Sequence, residues 1–484
     1  MYEWILINSA SDFTALEKLG EQYKPTELIQ ELSTSLTQSV KGVLVEKMYV
    51  DKDYRSTYYN FYAMKGARYN RECVRLHFFS EPLDFQGAAL GFSVPEAQLQ
   101  ACYLGFMVIR PTNIEYTTIG RTVLHPKALT TKPGRIISSK HVVHILGYKL
   151  RANGFPSMNQ HTDISVCAHT ACWSILRHNS NRYRQYTEFL THDVTRMANI
   201  QDTGGLYPSE GLSVSDAEMV FRNAGLYPLT IARNVANDDE KENFFREVHA
   251  YLESGFPLYA HMSSQEHAIV LVGHQSVQDV VAAPGVLYGW DQVRSFVGID
   301  DNYLPYVNVE RIAAVDGLDY GIDDIDVVVV PLPHKVFYSA NVVHRLAEDL
   351  PTSASSSSFQ FPEPDDTVVR YFITTSSAFK AFIRGNVSEF DPGLVESIMG
   401  MPMAQFVWMI EYASREEWSN EKVSVRVVVD ATASLYDTFP MWVMFDSKKV
   451  WIFDRNELGA EPEEALLEPA KLPYSKMSTN LMSY

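Results

Sequence analysis

The chain has 484 residues, 46 % of them hydrophobic and 21 % charged, with a formal net charge of −18. The length calls for two or three domains, and the acidic balance excludes general nucleic-acid binding, which needs a basic face against phosphates. Four cysteines in 484 residues are too few for a disulfide framework, so reduced thiols in a cytoplasmic setting are expected. The start, "MYEWILINSASDF", lacks the basic segment and long apolar run of a secretion signal. The longest apolar runs, "DVVVVPLP" and "HAIVLVG", are strand-length, well below the ~20 residues of a membrane helix. Neither a membrane nor a nucleic acid is therefore an expected partner.

In chain order, residues 1–128 read as an N-terminal α+β domain. "SDFTALEKLGEQY" has helical spacing, with Ser11 or Asp12 as the cap. "GVLVEKMYV", "CVRLHFF", "YLGFMVIRP" and "IGRTVL" are rich in β-branched and aromatic residues and read as strands. Arg110 and Arg121 within them read as structural ion-pair partners.

Residues 129–318 read as a second domain with helices first and a strand meander after, an α+β order. "SVCAHTACWSILRHN", "SVSDAEMVFRNAG" and "ENFFREVHAYLESG" are the helices; Ser213 or Ser215 caps the second, and Gly225 stands where a C-terminal cap belongs. "FPLYAHM", "HAIVLVGHQ" and "SFVGIDD" are the strands. Residues 319–350 connect onward, and 351–366, "PTSASSSSFQFPEPDD", has the composition of a linker. Residues 367–484 form a last α+β unit. The glycines of "GAALGF" and "TGGLYP" lack the strand–loop–helix setting of a phosphate loop, and the acidic "GIDDIDVV" reads as a solvated turn.

The stretch "QHTDISVCAHTACWSILRHN" carries Cys167 and Cys172. On a helix, Ala168, Ala171, Cys172 and Ile175 make one apolar stripe. Cys172 therefore reads as a small core residue. Cys167 is about 140° away around the helix, in the first turn, where unpaired N–H groups and the helix dipole favour an anion such as a thiolate. His267 opens a buried-looking strand after a polar turn, and Asp300 ends the next strand. Cys, His and Asp in this order supply a nucleophile, a base and a group that orients the base. His161, Cys167, His169 and Cys172 match no familiar zinc spacing, so no metal or cofactor is expected.

At these residues the chain resembles the papain-like cysteine peptidases, with its nearest local likeness to the bacterial bacteriocin-processing (double-glycine) peptidase domains. The likeness spans roughly residues 155–310. It implies a papain-like central domain and a prokaryotic thiol protease acting on protein or peptide substrates, by hydrolysis of a peptide or isopeptide bond. It also implies that the amide of Gln160 serves the oxyanion hole. The sequence departs from that pattern in three places. Gln160 stands seven residues before Cys167, one more than expected, Ala168 replaces a Gly, and "QSVQDVVAAPGVLYGWDQVR" lengthens the gap between His267 and Asp300. Asp301 is accordingly an alternative carboxylate. Cys172 is an alternative nucleophile, because Trp173 follows it as a Trp follows the nucleophile in papain-like enzymes. Two other functions fit the same residues: transfer of the acyl group to an amine, and a non-catalytic papain-fold module that binds protein.

Overall fold

The structure is a computed structural model. It describes residues 2–66, 68–112, 118–130, 134–160, 167–198, 212–234, 238–277, 283–311, 318–353, 355–434, 436–437, 440–454, 462–467 and 473–484, except for the side chains of 238–241. The described residues form a mixed α+β protein in which three large, mainly antiparallel sheets carry the chain. No described helix is long and apolar enough to cross a membrane.

The first sheet pairs Tyr2–Leu6, Gly42–Tyr49, Cys73–Phe79, Tyr103–Ile109, Ile119–Leu124 and Pro156–Ser157 in that order. Alternating residues of its strands feed two cores, as the period of a strand requires. Val43, Val45, Leu76 and Phe78 face the helix Pro25–Leu36, while Leu44, Phe79, Phe106 and Val123 face the hairpin of Ser139–Ile145 and Tyr148–Gly154. Residues 139–157 thus belong with the N-terminal sheet. The hairpin's apolar face has its partner there, whereas Arg135–Ile136 pairs with the central sheet. The segment Ala10–Leu19 is a 3-10 helix that begins after Ser9. Asp12 lies inside its first turn, and its carboxylate accepts from the backbone N–H of Ser9 at 2.8 Å, so neither Ser11 nor Asp12 is the cap residue.

The central sheet runs Tyr227–Ala232, Val327–Leu332, Leu258–Met262, His267–Ser276, Val293–Ile299 and Val307–Glu310. Val327–Leu332 lies inside this sheet, between two strands that precede it in the chain. The central unit therefore runs past 318 to at least 332. The run "VVVVPL" is apolar on both faces, as a strand covered on both sides must be. The strand His267–Ser276 also pairs with Arg135–Ile136 at Gly273, where an added Cβ would lie 2.0 Å from the carbonyl oxygen of Arg135. Only glycine allows that approach.

Helices Cys167–Arg182 and Val214–Asn223 cover one face of the central sheet. Ser213 caps the latter, and Gly225 follows it at φ +84°. Helix Asp238–Glu253 lies on the other face, between the central sheet and the third one. That third sheet orders Leu287–Tyr288, Thr367–Thr375, Phe406–Ser414, Val425–Asp430, Met441–Phe445, Lys449–Ile452 and Glu463–Leu466. Its first strand comes from the segment that separates His267 from Asp300. The chain end returns as well: Met482–Ser483 pairs with Arg135–Ile136. One continuous hydrophobic cluster runs through all three units.

The Ser/Pro-rich stretch 351–366 is packed, contrary to its linker composition. Ser356 and Phe359 are buried, Phe361 meets the ring of Tyr412 edge-on at 4.9 Å, and the Gln360 N–H donates to Asp446 at 2.9 Å. Two aromatic residues spaced by one give this stretch an apolar face that its overall composition conceals. The acidic 321–328 stretch likewise buries Ile322 and Ile325, so only part of it is solvated. "GAALGF" forms a turn with positive φ at Gly87 and Gly91, whereas "TGGLYP" and His161 lie outside the described residues.

Candidate functional site

His267 opens its strand directly after Glu266, whose φ of +48° ends a 3-10 turn. Val293–Ile299 runs antiparallel beside that strand, with Val270 opposite Ile299. The end of one strand and the start of the other therefore meet at the same edge of the sheet. There His267 Nε2 and Asp300 Oδ2 lie 3.1 Å apart. Helix Cys167–Arg182 packs on the same strand and begins at Cys167, whose thiol is near enough to the His267 ring to help raise it. With Nε2 turned to the carboxylate, Nδ1 is the nitrogen left for the thiol. The structure thus brings together Cys167, half-buried, His267 and Asp300.

The helix itself differs from the expected amphipathic stripe. Every residue from Ala168 to Asn179 is buried, polar ones included. Arg177 pairs with Asp53 of the N-terminal unit at 2.7 Å, the indole of Trp173 donates to the same carboxylate at 3.0 Å, and His178 stacks on Phe155. The helix is enclosed between the central sheet and the N-terminal unit, so a polar face toward solvent is not required of it. Cys172 is fully buried, and burial pushes its thiol up. Among the described residues Cys167, His169 and Cys172 form no metal-ligand group. His169 is held neutral by burial, down to about 4.

Asp300 is 1 % exposed and fully engaged. Oδ2 faces His267 and accepts from the Tyr320 hydroxyl, and Oδ1 accepts from the backbone N–H of Asn302 at 2.9 Å. Burial alone raises a carboxyl, but here the hydrogen bond and charge of His267, with Tyr320 and Asn302, outweigh it and hold Asp300 below its ordinary value. Asp301 also lies within 4.8 Å of His267 and Asp300 but hydrogen-bonds to the helix instead. Its Oδ2 accepts from Thr170, one turn into the Cys167 helix, at 3.4 Å, and its Oδ1 has no hydrogen-bond partner. Burial and the neighbouring Asp300 charge raise its carboxyl. For His267, burial favours the neutral ring, but the hydrogen bonds to Asp300 and Cys167 and their charges prevail and push the imidazole up to about 10.

Gln160 lies at the rim. Its amide donates to Oδ1 of Asn302 at 3.2 Å, and Arg110 donates to the carbonyls of Asn159 and Gln160 at 3.0 and 3.4 Å. Arg110 also donates to the carbonyl of Ile119 at 2.8 Å, so it acts as a backbone clamp on the chain leading toward Cys167, not as the ion-pair partner expected. Arg121 does pair, with Asp51 at 3.1 Å. A cleft of about 790 Å3 begins at Asn159 and Asn302 and is walled by Tyr303, Leu304, Leu318 and Glu31 of the N-terminal helix. Sequence reasoning missed Tyr320, Arg110 and Thr170. Each reaches the site from a distant stretch of chain and carries no local signal of doing so. His267, Asp300 and Asp301 also present donors within 4.8 Å of one another, a set that a cation would have to share with the existing His267–Asp300 hydrogen bond.

The chain matches no protein-family model, no curated protein and no solved structure.

Two outcomes follow from the geometry. Iodoacetamide should modify Cys167 at least tenfold faster than Cys73, Cys102 or Cys172 in the folded protein, because those three are buried and burial raises their thiols; peptide mapping after partial alkylation gives the order. The second concerns pH. Because His267 is raised to about 10, its contribution to stability is complete below the unfolded value of about 6.5 and is lost as pH rises through the folded value. The gap in melting temperature between the wild type and His267→Ala should therefore shrink from pH 6.5 to pH 10, and a gap that widens over that range contradicts the ion pair.

Proposed function

We propose that this protein is a cysteine peptidase whose central unit is papain-like, with Cys167 as nucleophile, His267 as general base and acid, and Asp300 as the group that orients the imidazole. The observation that carries this reading is the position of His267, hydrogen-bonded to Asp300 through Nε2 at 3.1 Å and in contact with the thiol that begins a helix. The raised imidazole holds the proton taken from the thiol. The thiolate attacks the carbonyl carbon of a peptide or isopeptide bond, and the tetrahedral intermediate collapses as His267 protonates the leaving amine. His267 then takes a proton from water, which attacks the thioester and releases the acid. Asp300 stays ionised throughout and stabilises the imidazolium. The cleft leading from Asn302 offers room for an extended peptide segment. In this reading Gln160 supplies the oxyanion donor, from the rim beside Asn302.

The test is cleavage of a peptide library by the full chain, with adduct formation by a thiol-directed peptidase inhibitor mapped to Cys167. Loss of both in Cys167→Ala, with retained fold, is the expected result; a peptide-cleaving Cys167→Ala protein overturns the assignment. Adding an amine and analysing the products separates hydrolysis from acyl transfer, since both nucleophiles attack the same thioester.

Asp300→Asn should lower kcat/KM on the order of a hundredfold or more, because an amide neither fixes the same imidazole tautomer nor stabilises the imidazolium. Asp301→Asn should change the rate little and should raise the melting temperature more at pH 8 than at pH 5, because it removes a carboxyl whose charged form burial disfavours. Steady-state rates and melting curves of both variants decide which carboxylate orients His267. Separately, Gln160→Ala should slow turnover roughly a hundredfold, the range measured for loss of one oxyanion donor, while leaving the alkylation rate of Cys167 within about twofold. An equal fall in both would assign the residue to holding the fold.

A further inference from the structure

On the opposite face of the central sheet, three side chains converge that the peptidase reading does not use. His249 and Glu253 are four residues apart on helix Asp238–Glu253 and so share one face a turn apart. His274 reaches them from the strand His267–Ser276. His274 Nε2 lies 2.7 Å from Glu253 Oε1, and His249 Nε2 lies 3.8 Å from the same oxygen. One donor from each of the three residues falls within 4.8 Å of the others. All three side chains are at most 6 % exposed.

Two features of this cluster bear on what it can hold. First, Glu253 Oε2 and His274 Nδ1 are buried with no hydrogen-bond partner. A bound cation can take up the free lone pairs of the Glu253 carboxylate. Second, the cluster borders a cavity of about 340 Å3 closed by Arg370, Trp418 and Lys476 of the third unit. The cations around it already have counter-charges: Arg370 pairs with Glu411, and Lys476 lies 3.0 Å from Glu421. Arg135 stands 4.0 Å from Glu253 itself. Glu253 is also the last residue of its helix, the end whose carbonyls favour positive charge. His249 packs on Gly289, where an added Cβ would sit 2.6 Å from its ring.

We infer that His249, Glu253 and His274 form a binding site for a divalent transition metal ion of the zinc class, with its open coordination side toward this cavity. Two imidazoles and one carboxylate are a set that suits zinc and its neighbours rather than calcium or magnesium. Donors about 2.1 Å from a tetrahedral ion lie roughly 3.4 Å apart, between the 2.7 and 3.8 Å separations present. The Glu253–His274 separation would widen by about 0.7 Å and the Glu253–His249 one close by about 0.4 Å. Three protein donors leave a position for water or an anionic ligand, the arrangement of a site that stays open.

The experiment measures zinc binding by the full chain after chelator treatment and dialysis, by competition with a chromophoric chelator. His267→Ala protein serves as the reference background, since it removes the other cluster that offers donors to a cation. One equivalent should bind with micromolar or tighter affinity in that background. Glu253→Gln added to it should weaken binding at least a hundredfold, and His249→Gln should do the same, each with an unchanged circular dichroism spectrum. Cobalt substituted in the unmutated site should give visible absorption typical of four or five coordination, a readout that survives even if a variant fails to fold. The inference is overturned if the His267→Ala protein takes up no zinc, or if Glu253→Gln and His249→Gln bind it as tightly as the background does.

Discussion

A carboxylate that is 1 % exposed must find charge and hydrogen bonds inside the protein, and Asp300 finds them in His267, Tyr320 and the Asn302 N–H. The site hangs on this requirement. The imidazole is held at a set angle because it is one of the groups compensating the carboxylate. The helix that begins at Cys167 packs on the same strand. Removing Asp300's charge would release both the ring and the reason for its protonation. The neighbouring Asp301, equally buried but with one oxygen unpartnered, shows the contrast: the same residue type without those partners has its carboxyl raised instead of lowered.

Bringing these groups together depends on strand direction. His267 begins one strand and Asp300 follows the end of its antiparallel neighbour, so 33 residues of separation in the chain collapse to one edge of the sheet. The intervening segment is free to be long because it leaves this sheet, contributes Leu287–Tyr288 to the third one, and returns. The helix bearing Cys167 cannot drift from that edge, since it is enclosed on all sides and tied by Arg177 and Trp173 to Asp53 in the N-terminal unit. Arg110 performs a related task on the chain before it, holding the carbonyls of Asn159 and Gln160.

The three units consequently behave as parts of one interior. Helix Asp238–Glu253 is shared by the central and third sheets, the last strand of the chain pairs with Arg135–Ile136, and the hydrophobic cluster is unbroken between them. Charged groups placed in that interior occur as compensated sets, such as Glu411 between Arg370 and Arg426. The His249–Glu253–His274 cluster combines two imidazoles and a carboxylate at the edge of a cavity.

Much of the local structure was legible in the sequence. The strands "CVRLHFF" and "HAIVLVGHQ" and the Ser213-capped helix follow from side-chain period and cap chemistry, which act within a few residues. The candidate triad was legible for the same reason: a Cys in a first turn, a His opening a strand and an Asp ending one are local features. What the sequence did not disclose is long-range. It gave no sign that Val327–Leu332 would insert between earlier strands, that the hairpin of Ser139–Ile145 and Tyr148–Gly154 would pack on the first sheet, or that Phe359 and Phe361 would anchor a Ser/Pro-rich stretch. It could not separate Asp300 from Asp301 beyond strand alternation, nor point to Tyr320 or Arg110. Those outcomes depend on which surfaces and hydrogen-bonding groups meet across tens of residues, and such pairings exist only once the chain has closed on itself.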